Sequence, residues 1–184
     1  MHASFNPDDF QSSDFASLYN ADSTGFILSE NAYLSRSEEI TPEKYVIGYS
    51  APLFSPTGGM KISAPDLARY MIMHMNYGID PDTGVRIISE DNSKLMQTPV
   101  IATGEEGSYC IGLNISSKLI PGEKMTGHTG SAYGLFSAMY FEPVKKFGIV
   151  MMTNGTSKEY GTYVDGFAPV QRDVVRILYE EFVE

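Results

Sequence analysis

Cysteine occurs once, at Cys110, so no disulfide can close within the chain and packing must hold its fold. Positive charge is scarce. The 13 lysines and arginines face 23 acidic residues, giving a formal net charge of −10, and no stretch gathers enough basic side chains to neutralise several phosphates. Nucleic acid and anionic membranes are poor partners for such a surface. No hydrophobic run approaches a membrane span, which argues against membrane insertion, and the opening "MHASFNPDDFQSSDF" lacks the basic start and apolar stretch of a secretory signal. Histidine is confined to His2, His74 and His128, without ligand spacing, so neither a metal nor another cofactor is expected. Also missing are a phosphate loop ending in Lys-Ser/Thr, His-Glu-x-x-His, Cys-x-x-Cys and Gly-x-Ser-x-Gly.

What is present suits a globular chain: 42% hydrophobic and 12% aromatic residues over a length that can bury a core, read as a single domain spanning 1–184. Residues 1–60, rich in Ser, Asp, Asn, Pro and Gly, have no sustained period and read as irregular. Residues 61–100 read as helical. In "SAPDLARYMIMHMNYG", Ser63 caps, Pro65 fits the first turn and Asp66 completes a capping box, so these residues are structural. Leu67, Met71 and Met75 recur at helical spacing, with Gly78 as the stop; the methionines read as core, and His74 as packed or solvated. "SEDNSKLMQTP" repeats this on a smaller scale, from Ser89 to Pro99.

Residues 108–184 read as a sheet with a closing helix. Strands are expected at 108–116, as a short piece near "KMTGHTG", at 135–143 and at 147–154, the last two forming a hairpin across Pro143 to Lys146. "APVQRDVVRILYEEFVE" then places Val170, Val174, Ile177, Leu178 and Phe182 on one helical face. Helices, then antiparallel strands, then a helix that needs a sheet beneath it, make the fold class α+β.

One stretch carries chemistry. "GHTGSAYGLFSAMYFEPVKKFGIVMMTNG" resembles the third active-site box and following hairpin of the serine β-lactamase and penicillin-binding-protein superfamily, in particular the class C-related branch in which that box is often His-Thr-Gly. "SPTGGMKISAPDLARYMIMHM", "ISEDNSKLMQTP" and "YCIGLNIS" follow the same family's order, so the resemblance spans roughly 45–155. It implies a β-lactamase/transpeptidase-like fold and a bacterial serine hydrolase, usually exported, acting on a β-lactam, D-Ala peptide or ester. It further implies that the backbone N–H of Ser131 is an oxyanion donor, and that His128, Thr129 and Gly130 bind substrate. The glycines fit that role, because they let a strand backbone approach a ligand closely. Tyr109 and Tyr133 fit a cleft wall or a half-buried sheet equally well.

The family's nucleophile box, Ser-x-x-Lys, has no counterpart here. The residues three positions before the lysines are Thr41, Gly58, Asp91, Ile115, Pro121, Glu142, Pro143 and Gly155, and no tyrosine precedes an asparagine by two. The chain therefore looks like the C-terminal part of such a domain, inactive by itself, with an uncovered strand edge that favours self-association. The competing reading is a non-catalytic binding protein on the same scaffold.

Overall fold

The computed structural model describes residues 1–29, 43, 59–104, 107–156 and 163–184. Strand β1 (Ala3–Ser4) is joined through two short 3₁₀ turns to a hairpin of β2 (Tyr19–Asp22) and β3 (Gly25–Leu28). This hairpin lies in the segment expected to be irregular, and the expectation for 30–42 and 44–58 falls outside the described residues. β4 (Lys61–Ile62) pairs back onto β1.

Helix α1 (Ala64–Met75) starts as its sequence dictates: the Ser63 hydroxyl accepts the Asp66 N–H at 3.2 Å, satisfying an otherwise orphaned donor. The helix is closed by Asn76, and the chain leaves it through Tyr77 and Gly78, both at positive φ; at Gly78 φ is +93° and any Cβ would stand 2.1 Å from the Ile88 carbonyl oxygen. Met71, Met73, His74 and Met75 form its buried face. α2 (Glu90–Met96) is capped by Ser89 in the same way.

The remaining strands form one antiparallel sheet: β5 (Ile101–Ala102), β6 (Gly107–Tyr109), β7 (Asn114–Ser116), β8 (Met125–Ala132), β9 (Leu135–Glu142) and β10 (Phe147–Thr153), in the order β10-β9-β8-β7-β6-β5. Two expectations need correction. Residues 108–116 make a hairpin instead of one strand, because Gly112 at φ 71° turns the chain between β6 and β7. The strand at the His-Thr-Gly box is not short, running through 8 residues and paired to β9 from Thr126 to Ala132.

Strand alternation sends two apolar sets to opposite faces. Met139 and Phe141 of β9 join Leu113, Met71 and Met75 beneath α1. Ala138 and Tyr140 join Ile149, Met151, Leu119, Ile120 and Met125 beneath the closing helix α3 (Pro169–Phe182), which contributes Val175. Phe141 is 0% exposed, so truncation to alanine should cost about 3–5 kcal/mol.

The architecture is thus α+β, an antiparallel sheet covered by a C-terminal helix on one face and by α1 on the other. The face of α3 differs from the expected one: Ile177 and Phe182 are 57% and 80% exposed, while Gln171 and Val175 are fully buried. A buried glutamine interrupts the apolar pattern, and a phase drawn through apolar residues alone turns the helix too far. The lysines of the β9–β10 turn are pinned. Lys145 pairs with Glu123, which also accepts the Tyr179 hydroxyl at 2.9 Å, and Lys146 donates to the Met75 carbonyl. These bonds hold the Glu123 carboxyl below its ordinary range.

Candidate active site

The geometry of the box begins at the turn beyond it. Ala132 and Leu135 flank a two-residue loop in which Tyr133 and Gly134 have φ of 55° and 92°. Positive φ at both positions is type I′ geometry, whose flanking residues exchange both hydrogen bonds. Gly134 is required twice over, since a Cβ there would meet the Tyr19 carbonyl oxygen at 2.0 Å. The tip of the hairpin thus rests on the backbone of β2.

Counting back from that turn fixes the direction of every peptide in β8. Gly130 with Ser137 and His128 with Met139 are hydrogen-bonded pairs; Ser131 with Phe136 and Thr129 with Ala138 are not. The N–H and C=O groups of Thr129 and Ser131 therefore point away from β9. On that side β7 pairs with Met125, Thr126 and Gly127 only. Beyond Gly127, this edge faces no strand among the described residues.

Gly127 allows the sheet to close tightly where the open edge begins. A Cβ on it would lie 1.9 Å from the Met139 oxygen and 2.7 Å from the Tyr140 Cα. Opposite this bare position, Tyr140 reaches across to Asn114, donating its hydroxyl to Oδ1 at 2.7 Å. Burial drives the Tyr140 phenol well above its ordinary range, so it stays neutral.

The four box residues come together on one strand, but their side chains alternate. His128 and Gly130 belong to the face of α1; Thr129 and Ser131 belong to the face of α3. His128 is exposed, with its Nδ1 2.6 Å from the Thr129 carbonyl oxygen. Only a protonated nitrogen can face that oxygen, so Nδ1 donates and Nε2 is presented to solvent. Ser131 is exposed and Thr129 half-buried. Tyr109 and Tyr133 are 54% and 47% exposed. Ser63 and Asp66 are occupied as caps.

A residue that the apolar pattern hides is Gln171. Fully buried, it donates from Nε2 to the Gly130 oxygen at 3.1 Å and to the Ser137 oxygen at 2.7 Å, while its Oε1 accepts the Ala168 N–H at 3.0 Å. Its signal in the sequence is positional: Gln171 follows Ala168-Pro169 at the third helical position, where a glutamine reaches back to the N-cap amide.

The Beta-lactamase family model matches residues 1–168. Among solved structures, the octameric penicillin-binding protein homologue from Pyrococcus abyssi resembles the chain with a TM-score of 0.60 at 23% identity, over 97% of this chain and 34% of that one. The chain thus spans about a third of that protein's length, and the likeness concerns the fold. Among curated proteins none is significantly similar to it. The antiparallel sheet, its closing helix and the match over most of the residues agree: the chain belongs to the Beta-lactamase family.

Proposed function

We propose that the open edge of β8 is the acyl-binding side of a serine acyl-transfer site, in which the Ser131 N–H receives the oxygen of a β-lactam, D-Ala peptide or ester carbonyl. The observation that carries this reading is the outward direction of the Thr129 and Ser131 peptides beyond the last residue of β8 that β7 pairs with. A fixed N–H aimed at developing negative charge costs no reorganisation during reaction, and such donors are worth about 2.7–4 kcal/mol each. At Gly130 the place of a Cβ is taken by the Ser137 hydroxyl, 2.5 Å from where that carbon would stand, and His128 and Thr129 offer a nitrogen and a hydroxyl, one from each face.

Ser-x-x-Lys is absent from the 184 residues, so this chain supplies the oxyanion side and not the attacking group. That absence equally favours a second reading, a binding protein that holds acyl ligands reversibly on the same edge. Self-association fits both, and the β10 edge is the surface for it.

The test mixes the chain with a fluorescent penicillin and a chromogenic cephalosporin. We expect saturable, reversible binding with no covalent label and no turnover. A serine of this chain acylated in stoichiometric yield would overturn the division of labour; no binding at all would overturn the site.

A further inference from the structure

We infer that Gln171 is the positioning residue of the oxyanion donor, aiming and polarising the peptide that joins Gly130 to Ser131. The inference rests on the acyl-site reading of β8 and adds a mechanism to it. The Gly130 carbonyl and the Ser131 N–H belong to one peptide unit, planar and trans, so they point in opposite directions. The carbonyl is directed at β9 and accepts from Gln171 at 3.1 Å, while the N–H is directed at the open edge. Holding one end of a rigid plane holds the other. A second donor on the carbonyl also draws electron density toward its oxygen and makes the N–H of the same unit a stronger donor.

The glutamine cannot swing. Its Oε1 is fixed by the Ala168 N–H at 3.0 Å, which leaves both amide hydrogens facing the sheet, one for Gly130 and one for Ser137 at 2.7 Å. Both strands of the narrow Gly130–Ser137 pair are thereby tied to the first turn of α3. Full burial keeps water from competing for these bonds. A leucine or methionine at 171 would satisfy packing equally well, so the amide at this depth is explained by the peptides it holds.

The experiment is solution NMR on the full chain, comparing wild type, Gln171→Met and Val175→Ala. Val175 is equally buried, one turn further along α3, and touches none of these peptides through hydrogen bonds, so its truncation controls for lost stability. In folded Gln171→Met we expect the Gly130 carbonyl carbon and the Ser131 amide proton to shift upfield as the hydrogen bond is lost. We also expect weaker binding of benzylpenicillin, read at the same amide, while Val175→Ala leaves both resonances in place. Unchanged Gly130 and Ser131 resonances in Gln171→Met, or equal shifts in Val175→Ala, would overturn the inference. Should Gln171→Met fail to fold, wild type decides: the Gln171 side-chain amide protons must be resolved and slow to exchange, and rapid exchange overturns the proposal. Wild type that shows these signals but binds no penicillin contradicts the acyl-site reading and leaves the positioning result standing.

Discussion

Burial and charge set the behaviour of single residues here, and His74 is the sharpest case. It is fully buried between Tyr70, whose ring centroid lies 4.7 Å away, and Phe141 at 6.5 Å, and among the described residues neither ring nitrogen has a hydrogen-bond partner. Burial lowers its pKa below the ordinary 6.5. With the folded value below the unfolded one, the unfolded state takes up a proton first as pH falls. Stability contributed by neutral His74 is therefore full above about 6.5 and declines from there toward the lower folded value. Urea midpoints measured between pH 7 and 5 should fall in wild type and fall less in His74→Phe, which keeps the aromatic stack without a titrating group. Equal slopes in the two proteins would contradict this account. The helical spacing shows that position 74 can lie on a buried face, but spacing carries no information about the missing partners.

At the scale of elements, the helix starts and the β9–β10 hairpin are legible because their causes are local. Ser63 and Ser89 cap the turns that follow them, and apolar alternation over 135–153 survives as two paired strands. The failures come from longer range. Gly112 separates β6 from β7 by adopting a backbone that only the neighbouring strand pairing requires. Gln171 is buried because backbone carbonyls on β8 and β9 lie above it, which no periodicity along α3 reveals.

β10 adds a consequence of its own. Among the described residues it ends the sheet; it contains no charge or proline, and its register with β9 turns the peptides of Gly148, Val150 and Met152 outward. Two copies related by a two-fold axis at Val150 would pair Gly148 with Met152 of the other copy and bring no like charges together. Light scattering should show a concentration-dependent dimer that Met152→Lys weakens. A monomer at every concentration, or a dimer indifferent to that charge, would exclude this edge.

For the whole molecule, the antiparallel sheet between α1 and α3 leaves the outer side of β8 from Thr129 onward without a strand partner among the described residues. The sequence motif indicates which residues lie there, and the roles proposed for them follow from the resemblance. The direction of each peptide comes from the type I′ turn at Tyr133-Gly134 and the register it imposes, neither of which a motif encodes. The most direct measurement is a ¹H–¹⁵N titration of the chain with benzylpenicillin or an acyl-D-Ala-D-Ala peptide, following each assigned backbone amide. The Ser131 N–H should move downfield and saturate, with Thr129 and His128 following and β10 unaffected. If Ser131 stays fixed while other amides respond, the acyl oxygen does not bind at this edge.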